Sequence, residues 1–253
     1  MSLSLEINHD IIPISITLIT LIIATFYDLK TREIREIIWV PALVFSAVFT
    51  YLIIRPSILV FIFSVIPAIL LLILAVVGLI GGADFLAILL IGISTPILNV
   101  LPISLLTLFY SALIPSALIM YNLLVNTTVY IDEYKKLRCV GASKWLLLFL
   151  GKPMKVKVFT KSKFMYPLTV FRCNPNKCDV VCRSSFDIDE DFKNHINTIS
   201  NYLSNGCIKE DDYIWVTPAL PHILFITIGY LLALITPAEL IYDVFNLVFG
   251  VVR

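Results

Sequence analysis

The sequence predicts an all-α polytopic membrane protein of six transmembrane helices, with a small cytoplasmic α/β domain inserted before the last helix. Three observations predict it. The 253 residues are 59% hydrophobic and 15% charged, where a soluble domain carries about 25% charged residues. Apolar runs of span length recur through the first half of the chain and once more near its end. Charge is gathered instead of spread, with 14 of the 19 Lys and Arg falling between positions 135 and 209. The net charge of +1 averages two unlike regions and says little by itself.

Residues 1–10 hold Glu6 and Asp10 but no Lys or Arg. A cleaved secretory leader starts with basic residues, so the first apolar run reads as a retained span. It covers residues 11–27 and ends at Asp28-Leu-Lys-Thr-Arg-Glu-Ile-Arg-Glu36; a second span, 37–54, is closed by Arg55-Pro56. Between 57 and 98 the only charged residue is Asp84. That stretch is twice the ~20 residues of one crossing, so the chain must turn back within it. The break is Gly78-Leu-Ile-Gly81-Gly82-Ala83, small residues that a turn accepts. It divides a third span, 57–80, from a fourth that opens at Asp84 and fades near Asn99. A fifth span covers 101–125 and a sixth 218–235; the tail, with Glu239 and Asp243, is short for a crossing and reads as interfacial. Pro41, Pro67, Pro96, Pro102 and Pro115 read as helix kinks. The domains expected are thus 1–126 (spans one to five), 127–214 (soluble) and 215–253 (last span and tail).

The polar segment reads as a small α/β unit. Lys-Val-Lys-Val-Phe at 155–159 alternates with the period of a strand, 189–203 has a helical pattern, and 145–150 suits a membrane surface. All five cysteines (Cys139, Cys173, Cys178, Cys182, Cys207) lie here; an odd count without a leader argues against a secreted disulfide framework. Cys173-x4-Cys178-x3-Cys182, with His195 or Cys207 as a fourth ligand, lacks the Cys-x-x-Cys knuckle of a zinc site. Reduced thiols, or a disulfide in a thermophile, are the better reading, and no metal is expected. His9 and His222 are lone residues near span ends and read as interfacial packing.

Lys30, Arg32 and Arg35 crowd the first loop, the N-terminus has no basic residue, and the second loop has only Arg55. The positive-inside rule puts the N-terminus outside and the first loop in the cytoplasm. Parity then puts the Gly78–Ala83 turn and the basic polar domain on the cytoplasmic side.

Asp28 closes the first span and Asp84 opens the fourth, so topology alone brings both carboxylates to the cytoplasmic membrane edge. An ionisable group in such a sequence is read as functional by default. Taken singly, each has an ordinary explanation: Asp28 as interfacial decoration, Asp84 as an acid at a helix start. Taken together, they suggest acid–base chemistry. Two close carboxylates in a dehydrated site share one proton. The anion can deprotonate a water that attacks a peptide carbonyl, while its protonated partner donates to the oxyanion and then to the leaving amine. Gly81, Gly82 and Ala83 would let an extended substrate bring its backbone close.

On these residues the chain resembles the archaeal prepilin and preflagellin (archaellin) peptidases, membrane aspartyl proteases with a Gly-x-Gly-Asp signature. Tyr27-Asp28-Leu-Lys-Thr-Arg-Glu-Ile34 is similar to the segment around the family's first catalytic aspartate. Gly81-Gly82-Ala83-Asp84 resembles that around the second, and Trp215-Val-Thr-Pro218-Ala-Leu-Pro221 the entry to the last membrane helix. Ala83 stands where the signature has its second glycine, and Arg35 where many members have proline. The Cys-x-x-Cys pairs of bacterial relatives are absent, and with them any support for zinc or for N-methyltransferase activity. The resemblance implies Asp28 and Asp84 as catalytic residues and no cofactor. It implies cleavage of class III signal peptides from membrane-anchored pilin or archaellin precursors, after a short basic segment and before the hydrophobic stretch. The partners implied are that precursor and the lipid bilayer, with no nucleic acid. Asp187-Ile-Asp189-Glu190-Asp191 and Glu210-Asp211-Asp212 are candidate docking acids for the precursor's basic end, or simply a solvated face.

Two rival readings remain. A presenilin-like or signal-peptide-peptidase-like protease also pairs two aspartates and has a Pro-Ala-Leu like Pro218-Ala219-Leu220, but its acids lie on adjacent spans. A proton-coupled transporter would use Asp84 as a relay, yet such acids sit mid-membrane between inverted repeats, and no repeat is visible here.

Overall fold

The computed structural model describes residues 3–96, 101–137, 139–140, 144–174, 177–186 and 190–249. In chain order the helices are α1 (Leu3–Thr31), α2 (Val40–Phe49), α3 (Ile58–Val76), α4 (Gly82–Ser94), α5 (Ile103–Thr128), α6 (Ile131–Lys136), α7 (Leu147–Leu150), α8 (Val156–Phe159), α9 (Phe192–Ser204), α10 (His222–Ile235) and α11 (Ala238–Phe249). The strands are β1 (Cys139–Val140), β2 (Lys152–Lys155), β3 (Met165–Pro167), β4 (Thr169–Asn174), β5 (Lys177–Cys182) and β6 (Tyr213–Pro218). The chain forms two compact units: Met1–Ile114 with Pro221–Arg253, and Pro115–Leu220.

The first unit is a helical bundle turned inside out. Leucines, isoleucines and phenylalanines of α1, α2 and α3 are exposed, while Thr17, Asp28, Ser46, Thr50, Ser64 and Asp84 are buried. That arrangement suits lipid as the solvent, where apolar surface needs no cover and polar groups must be satisfied within the protein. Among the described residues, four segments are long and apolar enough to cross a membrane: Ile11–Thr31, Glu36–Ile54, Ile58–Val76 and Ile103–Thr128. The fourth and sixth expected spans are present as the shorter helices α4 and α10, of 13 and 14 residues. At 1.5 Å per residue they reach about 20 Å, against ~30 Å of hydrocarbon. The expected fading of the fourth span near Asn99 lies outside the described residues. Of the expected kinks, Pro67 and Pro115 do lie inside helices. Pro41 instead sits in the first turn of α2, where its missing N–H costs nothing. Pro96 lies beyond α4, and Pro102 precedes α5.

Helix α4 is the centre of the unit, packed against α1, α2, α3 and α10. Small and hydroxyl residues allow that closeness. Ser64 Oγ donates to the Gly92 carbonyl at 2.9 Å and Ser104 Oγ to the Ser64 carbonyl at 2.6 Å. A Cβ at Gly92 would collide with the Ser64 backbone. At Gly229 of α10 a Cβ would come within 2.6 Å of the Thr107 carbonyl oxygen.

The second unit holds two three-stranded sheets, in the orders β1-β5-β4 and β2-β6-β3. They join at Leu168-Thr169: the Leu168 N–H donates to the Trp215 carbonyl, and Thr169 Oγ1 accepts from the Trp215 N–H. The strand expected at 155–159 is displaced. Pairing with β6 ends at Lys155↔Tyr213, and the chain then coils into α8, burying Val156 and Phe159 three residues apart on one helical face. The alternating pattern concealed that spacing. The helix expected at 189–203 is α9, capped by Asp191 accepting from the Lys193 N–H. Trp215-Val-Thr-Pro218, read as the entry to a membrane helix, lies in strand β6, and the helix starts four residues further on at His222. Cys139 and Cys182 form a disulfide across β1 and β5. Cys182 is therefore no thiolate ligand, and His195 is engaged by Glu190 at 2.6 Å.

Candidate active site

Asp28 lies in the last turn of α1. Its side chain is buried, and Arg32, at φ 61°, adopts a left-handed conformation just past the helix end. For a non-glycine residue that conformation costs about 1 kcal/mol or more. It reverses the chain and leaves Arg32 Nη1 3.5 Å from Asp28 Oδ1. Arg35, where many relatives have proline, has φ −72° and ψ 137°. Proline itself adopts such angles, so a proline would fit this backbone position.

Asp84 is the third residue of α4, beyond the N-cap Gly81. From there a carboxylate can reach back toward the N-cap N–H, and the Asp84 carboxylate does face the Gly81 backbone. A capping role alone does not account for its position, because Asp84 is 9% exposed and packed inside the bundle. Asp28, at 8% exposure, is likewise not interfacial decoration.

The two acids meet consecutive residues of one helix turn. The Ile223 N–H, among the first of α10, donates to Asp28 Oδ2 at 3.1 Å. His222, one residue earlier, places Nδ1 3.6 Å from Asp84 Oδ2. The helix start exposes N–H groups with no partner within their own helix, and Asp28 satisfies one of them. His222 is thus part of the site and not the lone interfacial residue expected. The expected topology carries a signal for it, since a sixth span would start at the membrane edge expected for both aspartates. Arg32, in sequence a topology charge, is the ion partner of Asp28.

A groove of about 450 Å³ opens between the starts of α2 and α4; its lining includes Ile34, Trp39 and, on either side of Asp84 in the chain, Ala83 and Phe85, but neither aspartate. Gly82 also lines it, and a Cβ there would meet nothing within 4 Å. Gly81 faces the acid instead, its Cβ position lying 4.0 Å from Asp84 Oδ2. Two other cavities, of about 530 and 520 Å³, are lined by residues around Arg55 and around Phe109, far in sequence from either aspartate. Among the docking acids, Asp211 is held below the usual carboxylate range by hydrogen bonds from Lys157 and Lys155. Glu190 pairs with Arg183, and Asp187 and Asp189 lie outside the described residues.

Fold and site define an apolar helical membrane protein with two buried carboxylates gathered at one helix start. Residues 15–120, which include both aspartates, match the model of the type IV leader peptidase family, and residues 143–237 match that of the archaeal peptidase A24 C-terminus, type II. The chain belongs to the prepilin and preflagellin peptidase family, and is a membrane protease of that type. No curated protein matches the sequence.

Proposed function

We propose that the protein is an aspartic endopeptidase that removes class III signal peptides from pilin-like or archaellin precursors at the cytoplasmic membrane face. The observation that carries this reading is the convergence of Asp28 and Asp84 on Ile223 and His222. In this mechanism one carboxylate takes a proton from water, whose oxygen adds to the scissile carbonyl. The other, protonated, hydrogen-bonds the developing oxyanion and hands its proton to the departing amine. The precursor's extended backbone enters over Gly81, Gly82 and Ala83, and its side chains near the scissile bond occupy the groove against Trp39 and Phe85. Helices α4 and α10 serve as the fourth and sixth crossings, made short because the longer helices surround them in the lipid, and residues 127–214 form the cytoplasmic domain.

The test is incubation of detergent-solubilised protein with an archaellin or pilin precursor, mapping the new N-terminus. A cut just before the hydrophobic stretch is expected, and a strong chelator should leave the rate unchanged. Loss of activity on chelation would rule out a reaction carried by two carboxylates and water alone.

A further inference from the structure

We propose that His222 is a positioning residue that holds Asp84 within the buried acid pair. The inference rests on the peptidase reading and deepens it. Among the described residues, His222 is the one ionisable side chain within ion-pair distance of Asp84. It is also open where the acids are closed: its side chain is 54% exposed, that of Asp84 13%. A ring so placed has one edge on the carboxylate and the other toward solvent.

The groups facing it are few. From α4 there is Asp84, and from α1 there are Asp28 and its ion partner Arg32. Its own helix adds the Phe225 ring, 6.5 Å away between centroids. The backbone N–H beside it is already taken by Asp28, so the first turn of α10 fixes one acid by its main chain and the other by a side chain. The two fixings differ in kind. The main-chain amide holds Asp28 whatever side chain residue 222 carries, whereas the contact with Asp84 belongs to the imidazole and is lost with it. The ring thereby fixes where Asp84 Oδ2 sits, although it never touches the scissile bond.

The experiment is kcat and KM for a purified archaellin precursor in detergent, for wild type, His222→Ala and His222→Asn, each with a thermal melt. In His222→Ala kcat is expected to fall severalfold or more with KM changed by less than about twofold, and His222→Asn, whose amide can still donate toward Asp84, recovers part of the loss. An alanine variant with the wild-type kcat, or an asparagine variant no better than alanine, would overturn the inference while leaving the peptidase assignment standing. Loss of the fold in both would assign His222 to structure and also overturn it. A wild-type protein that cuts no precursor would instead remove the peptidase reading, and this inference with it.

Discussion

An aspartate buried among aliphatic helices costs several kcal/mol unless something compensates it, and each acid here has its own partners. Asp28 has the Ile223 amide and Arg32; Asp84 has His222. Asp28→Asn and Asp84→Asn keep the shape of the side chain but remove the base or the acid. Each is expected to lower precursor cleavage by roughly 10²–10⁴-fold while expression and melting temperature stay near wild type. Wild-type processing by either variant would show that the pair is wrongly assigned. Gly82 tests the groove separately. Its missing Cβ faces open space, so Gly82→Ala should fold normally. Gly82→Leu should fold as well but fill the groove, raising KM more than it lowers kcat. A Gly82→Leu enzyme with unchanged KM would exclude the groove as the substrate's path.

At the scale of elements, the site depends on how closely α4 and α10 approach their neighbours. Gly92 seats α4 against Ser64 of α3, and Gly229 seats α10 against Thr107 and Ser111 of α5. Small residues at such crossings let backbones touch where no hydrophobic effect drives helices together. Gly92→Ala and Gly229→Ala force those backbones apart, and each is expected to destabilise the unit by about 1–3 kcal/mol, measurable as a lower melting temperature in detergent. An unchanged melting temperature for both would mean that these helices have slack the packing does not display. The strand and helix of 152–159 carry a related lesson. Alternation in Lys-Val-Lys-Val-Phe matched a strand, but the ladder with β6 ends at Lys155↔Tyr213. Beyond it the Val156 and Lys157 N–H groups donate to the Asp212 and Glu210 carbonyls while the chain coils to bury Val156 with Phe159. Periodicity over five residues cannot tell these outcomes apart; the packing around Val156 and Phe159 does.

For the whole molecule, the expected orientation can be read with residues already present. Every cysteine lies in the polar segment, and Cys207 is free and exposed. An impermeant maleimide should label the protein in inverted vesicles and not in intact cells, as expected for a cytoplasmic domain; labelling from outside would reverse the orientation. Much of this protein was legible in its sequence. Hydropathy located the helices, because lipid demands long apolar runs and admits charge only where chemistry or burial compensates it. The lone Asp84 in a 42-residue apolar stretch and the small residues before it marked one half of the candidate site, and the expected topology singled out Asp28 as the other. What only the tertiary structure decided is which groups those acids touch. Arg32, itself left-handed, turns the chain back, and α10 arrives from far along the chain, 195 residues separating Ile223 from Asp28, to set His222 and Ile223 against the pair. Such contacts leave no periodic trace, since they depend on where distant helices cross and not on the composition of any one of them.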